Sequence, residues 1–372
     1  MIEGKILVIN TGSTSTKLAY FDSGQMVFIQ NLAYSREELS EFNSVMAQLS
    51  LRKKSIMEFL LTKSVKLENI DIIMARGGLL ENVTSGIYEI NQTMVDALAH
   101  SRGGKHPCNL SAIIADDLCS QINALRLVSS ENDTHDNPCR AFIADAPTAD
   151  EMSEVTKMLG LPQIKRKSAY HALNSRAMVR RWAKENNRSV SDINIIVTHL
   201  GGGSSISLYS KGKVIDVSDS VTGESPMSTD RVGSLPTTPL IELCFSGKYT
   251  KEEINELLFH KGGAVAYFGT NDFKELLSRT SEPEVEQFMD AYCLTIAKYI
   301  ASLSATVCGD IQALIITGGI AMSNYIVEKI SKRVSFIAPV IAYPGENEIE
   351  ALAENGYGVL SGDLVNFPIK RM

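Results

Sequence analysis

The chain has 372 residues, 44% hydrophobic and 21% charged, with a formal net charge of −7. That length exceeds one ordinary core, so two domains are expected of a globular protein. The negative balance excludes a broad nucleic-acid or anionic-membrane footprint, so an anionic ligand needs a local positive site. Six cysteines (Cys108, Cys119, Cys139, Cys244, Cys293, Cys308) form no Cys-x-x-Cys pair, which argues against a disulfide framework or zinc site and suits the cytoplasm. Met1-Ile2-Glu3-Gly4 runs straight into a strand, so no targeting segment is expected. Ala291 to Val307 carries Lys298 and reads as a core helix rather than a membrane span.

In chain order, Lys5-Ile6-Leu7-Val8-Ile9 predicts a buried strand. A glycine-and-hydroxyl turn at Asn10 to Thr16 leads into an alternating strand, Lys17 to Phe21; Asp22-Ser23-Gly24 then turns into Met26 to Ile29. Helices are expected near Arg36–Gln48, Leu51–Lys63, Asn109–Asn123, Glu151–Leu159 and His171–Asn186, with strands at Ile70–Ala75 and Ala141–Ala144. Val128 to Pro138 is polar and turn-rich and reads as a surface loop. Later come helices near Thr238–Phe245, Lys251–Phe259 and Glu284–Val307. A strand at Ala313–Thr317 precedes helices near Asn324–Lys332 and Glu348–Leu360.

The opening pattern recurs at mid-chain: strand Ile193 to Thr198, turn His199 to Ser204, strand Ser205 to Tyr209, turn Lys211-Gly212-Lys213, strand Val214 to Val217. Aligning Asn10 with His199 matches Gly12 to Gly201, Ser15 to Ser204 and Tyr20 to Tyr209. A repeat at about half the chain length predicts two similar domains facing each other. The first is placed at residues 1–146 with the C-terminal segment 350–372, and the second at 147–349 with the nucleotide-binding turns.

Both turns offer backbone N–H groups and hydroxyls that can approach a phosphate closely. A third, Thr317-Gly318-Gly319-Ile320, sits between a strand and a helix, where part of a nucleotide commonly docks. No segment supplies Gly-x-x-x-x-Gly-Lys-Ser/Thr, which argues against a P-loop NTPase.

These residues carry a resemblance. Val8-Ile9-Asn10-Thr11-Gly12-Ser13-Thr14-Ser15-Thr16-Lys17 is similar to the N-terminal signature of the acetate and butyrate kinase family. Further matches run along nearly the whole chain: Ala75-Arg76-Gly77-Gly78, His106-Pro107, Asp145, Arg166 to His171, His199 to Gly203, Arg231, Asn271-Asp272-Phe273, Gly318-Gly319-Ile320 and Asn347-Glu348. The resemblance implies an α/β fold of two duplicated ribonuclease H-like (actin-like ATPase) domains with an active-site cleft between them. It implies reversible phosphoryl transfer from ATP to a short-chain carboxylic acid, giving an acyl phosphate and ADP, with Mg²⁺ and a homodimer or higher homo-oligomer. Ser175 stands where the acetate branch has a second histidine, and Ala321-Met322-Ser323 replaces that branch's Gly-Glu-Asn. Arg76-Gly77-Gly78-Leu79-Leu80 and His171-Ala172-Leu173-Asn174 resemble the butyrate branch. Butyrate is therefore the expected acid, with acetate, propionate or a branched acid as alternatives.

The chemistry needs cations and donors more than a base, because the carboxylate, with a pKa near ~4–5, is already ionised at neutral pH. Arg76 can grip the carboxylate with its fork of donors, or make a surface ion pair. Arg231 can contact phosphoryl oxygens, or pair with Asp230 or Glu224. His171 can donate to the phosphoryl group or be a structural helix-start residue. Asp145 can orient an arginine or His171, or cap a helix. By resemblance these four are catalytic, and His106 lies near the substrate with Arg76. Also by resemblance, the ATP site takes Asn10, Ser13, Ser15, Lys17, His199, Gly201, Gly202, Gly203, Asp272, Phe273, Gly318, Gly319 and Ile320, and the magnesium site Asn10 and Glu348. Lys17 alone can instead be a solvated strand lysine, and Glu348 alone reads first as a first-turn glutamate favouring the helix dipole. A sugar or polyol kinase, in which Asp145 would deprotonate a hydroxyl, and an actin-like ATPase remain as rival functions.

Overall fold

A computed structural model describes residues 2–129, 137–219, 221–363 and 369–372. It divides into two units, Met1–Ala149 with Asn347–Met372, and Asp150–Glu346. Among the described residues the strands are β1 (Lys5–Thr11), β2 (Ser15–Asp22), β3 (Gln25–Ala33), β4 (Ile72–Arg76), β5 (Ile87–Glu89), β6 (Arg140–Ala144), β7 (Asn194–Leu200), β8 (Ser204–Ser210), β9 (Lys213–Val217), β10 (Ala313–Gly318), β11 (Val340–Pro344) and β12 (Ile369–Lys370).

The first unit holds a sheet in the order β12-β5-β6-β4-β1-β2-β3, and the second one in the order β11-β10-β7-β8-β9. Both contain the same five-strand arrangement: an antiparallel meander whose first strand pairs in parallel with a later one, β1 with β4 and β7 with β10. Parallel strands β6 and β11 then extend each sheet. The repeat read in the sequence is thus a repeat of topology, with one correction. Thr11 pairs with Thr16 across the first turn, whereas Leu200 pairs with Ser204 across the second, so the second turn is one residue shorter. Beyond the turns the match shifts by one residue. The bulges at Tyr20/Phe21 and Leu208/Tyr209 then coincide, and Tyr20 corresponds to Leu208, not Tyr209.

The central strands β1, β4, β6, β7 and β10 are buried on both faces, which is why they read as continuous apolar runs. Leu7, Ile9, Ile73 and Ile143 face a core with Ile56 and Leu60 of the helix Leu49–Thr62, Met94 of the helix Gln92–Ala99, and Leu110 and Leu118 of the helix Asn109–Ser129. On the opposite face, Ile6 and Met74 meet the helix Glu348–Ser361 at Gly356. In the second unit Ile196, Leu200 and Ile316 pack on Tyr292 and Ile296 of the helix Pro283–Ser304. Ile195, Val197 and Ile315 pack on Met178 and Trp182 of the helix Ala172–Glu185.

Two expected helices are much shorter. Only Arg36–Ser40 is helical where the helix Arg36–Gln48 was expected, with a single 3-10 turn at Met46–Gln48. Of Glu151–Leu159 only Glu154–Lys157 is helical, capped by Ser153, and its Val155 and Met158 stay exposed with nothing to pack on. The turn-rich segment begins later than its composition suggests, since helix continues to Ser129; Ser130 to Asp136 lie outside the described residues.

Candidate functional site

In the first unit, Asn10 is the last but one residue of β1, Arg76 ends β4 and Asp145 follows β6, so all three stand at the carboxyl ends of parallel strands. That is where α/β sheets place ligands. Glu348 opens the helix that covers the sheet's other face and is buried beside Asn10. Asn10 Nδ2 donates to Glu348 Oε2 at 2.7 Å. Arg76 Nη1 lies 3.5 Å from both Glu348 Oε2 and Asn10 Oδ1. A cation, a carboxylate and an amide thus converge on one point. Lys17 is paired with Asn10 across β1 and β2, so the two share a sheet face.

Asp145 adopts a left-handed backbone, φ 44°, and is buried. Its Oδ1 accepts from Gly86 N–H at 2.8 Å, while its own N–H donates to Gly86 O at 2.9 Å. His106 Nδ1 accepts from the Cys108 N–H at 3.1 Å. The same segment is tied to the end of β1, because Thr11 Oγ1 donates to Pro107 O and the Thr11 N–H to Ser111 Oγ. Burial pushes the neighbouring Cys108 thiol up to about 11, with Arg76 opposing and Glu348 adding to the rise. Ser13 and Ser15 flank the exposed tip of the β1–β2 turn.

In the second unit, His171 is the N-cap of the helix Ala172–Glu185. Arg166, just upstream, pairs with Asp216 at 2.9 Å and Glu224 at 2.8 Å. Ser205 Oγ accepts the His171 N–H at 3.2 Å and lies 2.7 Å from His171 Nδ1. The His171 ring stacks on His199 at 3.8 Å between centroids. His199, at the end of β7, reaches Asn174 Oδ1 with Nδ1 at 3.3 Å, and Thr317 Oγ1 donates to the same oxygen at 3.2 Å. Arg231 lies against the glycine turn, its Nη1 3.1 Å from where a Cβ on Gly203 would sit. Glu224 is held by Arg166, and Asp230 Oδ1 is 4.0 Å from Arg231 Nε.

A cleft of about 720 Å³ in this unit brings Gly201, Gly202, Asp272, Phe273, Gly319 and Ile320 together. Asp272 caps the helix Phe273–Ser278 by accepting from the Lys274 and Glu275 N–H groups, and the Phe273 ring lies in the core against Tyr292. Gly318 has φ 92° and sits where a Cβ would collide with the Leu200 carbonyl oxygen, so only glycine fits. The sequence reading assigned no role to Leu277 and Met322 of this cleft, nor to Asn174 and Ser205, which hold His199 and His171. Small polar residues in apolar strands and a helix give no signal until the fold stacks them. A second cleft, of about 680 Å³, opens by Lys5, Asp71 and Arg140 at the other ends of β1 and β4 and holds none of the predicted residues.

Fold and site together define an actin-like α/β architecture, built twice, with glycine turns at the strand ends. Comparison with known proteins makes this specific. The sequence profile of the acetokinase family matches residues 141–341. Butyrate kinase 1 of Clostridium acetobutylicum is 38% identical over 361 residues, 96% of this chain and 98% of that protein. A probable butyrate kinase of Phocaeicola vulgatus is 39% identical over 97% of this chain and 98% of its own length. Among solved structures, acetate kinase of Porphyromonas gingivalis aligns with a TM-score of 0.75 at 20% identity, covering 96% of this chain and all of that one. A propionate kinase of Francisella tularensis aligns with a TM-score of 0.69 at 20% identity, covering 94% and 98%. The chain belongs to the acetokinase family.

Proposed function

We propose that the protein transfers the γ-phosphoryl group of ATP to butyrate, reversibly, giving butyryl phosphate and ADP by direct in-line attack. The observation that carries this reading is near-full-length identity of 38–39% to butyrate kinases. The convergence of Arg76, Asn10 and Glu348 at the strand ends is consistent with it.

The acid needs no general base, being ionised at neutral pH. The obstacle is bringing one anion against another, and preorganised donors lower it. Arg76 holds the carboxylate through its fork of N–H groups, and His106 lies on the substrate side. Asp145 acts by fixing the geometry at the end of β6. Arg231 and His171 contact the transferring phosphoryl oxygens, and Ser205 holds the His171 ring in place. Ser13, Ser15 and Lys17 take the nucleotide phosphates, with the turn Gly201-Gly202-Gly203 and His199. Gly318-Gly319-Ile320 and Asp272-Phe273 border the remainder of the nucleotide.

Magnesium fits the residues present. Asn10 Oδ1 and the Glu348 carboxylate are hard oxygen donors that both lie 3.5 Å from Arg76 Nη1, and a magnesium ion that keeps several waters needs few protein ligands. When bound it would offset phosphate charge. Among the described residues no group of three or more His, Cys, Asp or Glu forms a cage of its own, and no helix is long and apolar enough to cross a membrane. We place the protein in the cytoplasm as a homodimer or larger homo-oligomer, which light scattering on the purified protein tests.

The deciding experiment is an ATP-dependent hydroxamate assay across acetate, propionate, butyrate, isobutyrate and valerate, with glucose and glycerol followed by ADP release. The expected result is the highest kcat/KM with butyrate and no turnover of the sugars or polyol. Preference for acetate or propionate would change the acid, and inactivity with every acid would refute the reading.

A further inference from the structure

Arg52 lies in the helix Leu49–Thr62 and is fully buried. A buried guanidinium ordinarily needs a carboxylate, because desolvating a charge costs several kcal/mol. Among the described residues Arg52 has none within ion-pair distance. Its donors go instead to the β1–β2 turn. Nη1 donates to Gly12 O at 2.9 Å, Ser15 O at 3.0 Å and Thr16 Oγ1 at 3.3 Å, and Nη2 to Ser13 O at 3.0 Å. Nε and Nη2 also donate to Gln48 Oε1, at 3.2 and 3.0 Å, and the Tyr34 ring lies 4.9 Å below the guanidinium carbon. Tyr34 N–H adds a fifth tether, to Thr14 O at 2.9 Å.

The consequence follows from peptide geometry. In a planar trans peptide the C=O of one residue and the N–H of the next point in opposite directions. Pinning the Gly12 and Ser13 carbonyls inward therefore turns the Ser13 and Thr14 N–H groups outward. Both residues are exposed, and neither amide donates to an acceptor among the described residues. Adjacent outward amides at a turn form an anion-binding concavity, here backed by a buried positive charge with no fixed counter-charge.

We infer that Arg52 is a positioning residue for nucleotide binding: it touches no ligand, but locks the β1–β2 turn so that the Ser13 and Thr14 amides face the phosphates. This rests on the reading of the protein as an ATP-dependent kinase. The role separates from a merely structural one because it concerns nucleotide affinity and not acid affinity.

The test compares full-length wild type with Arg52→Lys, which keeps the charge and loses the fork, and Gln48→Leu, which removes the acceptor that orients the fork. Calorimetry measures the Kd for ADP and for inorganic tripolyphosphate; kinetics gives kcat and both KM values; circular dichroism and Tm report folding. In Arg52→Lys both Kd values and the KM for ATP should rise about tenfold or more, roughly the loss of one or two charge-assisted hydrogen bonds. Gln48→Leu should show a smaller rise in the same quantities, with the KM for butyrate within about twofold in both. Unchanged ADP and tripolyphosphate affinity in the folded variants, or a parallel rise in the KM for butyrate, overturns the inference. If Arg52→Lys does not fold, Gln48→Leu decides alone. Wild-type protein that binds ADP but phosphorylates no acid would sink the kinase reading while leaving the turn's role to the binding data.

Discussion

Arg76 and Arg231 carry the same charge but are held differently, and their variants should fail differently. Arg76 stands 3.5 Å from the Glu348 carboxylate and is mostly buried, so Lys would keep the charge and lose the two-pronged grip. Arg76→Lys should raise the KM for butyrate about tenfold, with a smaller change in the KM for ATP. Arg231, beside Gly203, is assigned to charge that develops on the phosphoryl group. Arg231→Ala should cut kcat by about 100-fold or more, and near-normal turnover in the steady-state assay would remove it from the mechanism. Cys108 makes a pH-dependent statement at the same scale. Burial pushes its thiol up to about 11 from an ordinary value of 9.0. The folded state thus holds a proton that the unfolded chain has released. The stabilisation is complete below about pH 9 and is lost as pH rises through about 11. Urea unfolding at pH 8 and 10.5 should show a steeper alkaline loss in wild type than in Cys108→Ala. Equal slopes would place the thiol in a wetter setting.

At the scale of elements, the turns decide what the strands can offer. Gly318 closes β10 with φ 92° and no room for a Cβ beside Leu200 O. Gly318→Ala should cost about 1–3 kcal/mol in backbone strain alone and displace Gly319 and Ile320 from the cleft they line. A lower Tm together with a higher Kd for ADP is the expected pair of results. These elements differ in how plainly the sequence announces them. The runs that became β1, β7 and β10 were legible because both faces are buried and apolar residues are continuous. β5 was not, because Ile87–Glu89 is too short to show a period and exists by pairing with β6 and β12. The one-residue shift between the two meanders was hidden because three glycines stand where the first turn has Gly12-Ser13-Thr14-Ser15. Of the site, family motifs found the residues at strand ends. They could not reveal Arg52, since Arg52-Lys53-Lys54 looks like a solvated charge run until the turn forty residues earlier folds onto it.

Over the whole molecule, the chain builds most of one unit, then all of the other, and returns to finish the first. The returning helix Glu348–Ser361 packs on β1, β4 and β6 and buries Ile349, Leu352, Ala353 and Val359. Its Gly356 has no room for a side chain, since a Cβ there would lie 2.8 Å from Ile6 Cδ1 and 2.9 Å from Met74 Cγ. The same helix delivers Glu348 to Asn10, so stability of the first unit and assembly of its polar cluster are one event. Gly356→Leu should therefore do two things. Forcing a branched side chain into this contact should cost about 1–3 kcal/mol or more, read as a fall in Tm. Lifting the helix should also withdraw Glu348, so kcat should fall at temperatures where circular dichroism still shows a folded protein. Glu348→Gln serves as the comparison, because it weakens the cluster's charge without disturbing the packing, and should lower kcat with little change in Tm. If Gly356→Leu lost stability but kept full kcat below its transition, the helix would be a cover for the sheet and nothing more.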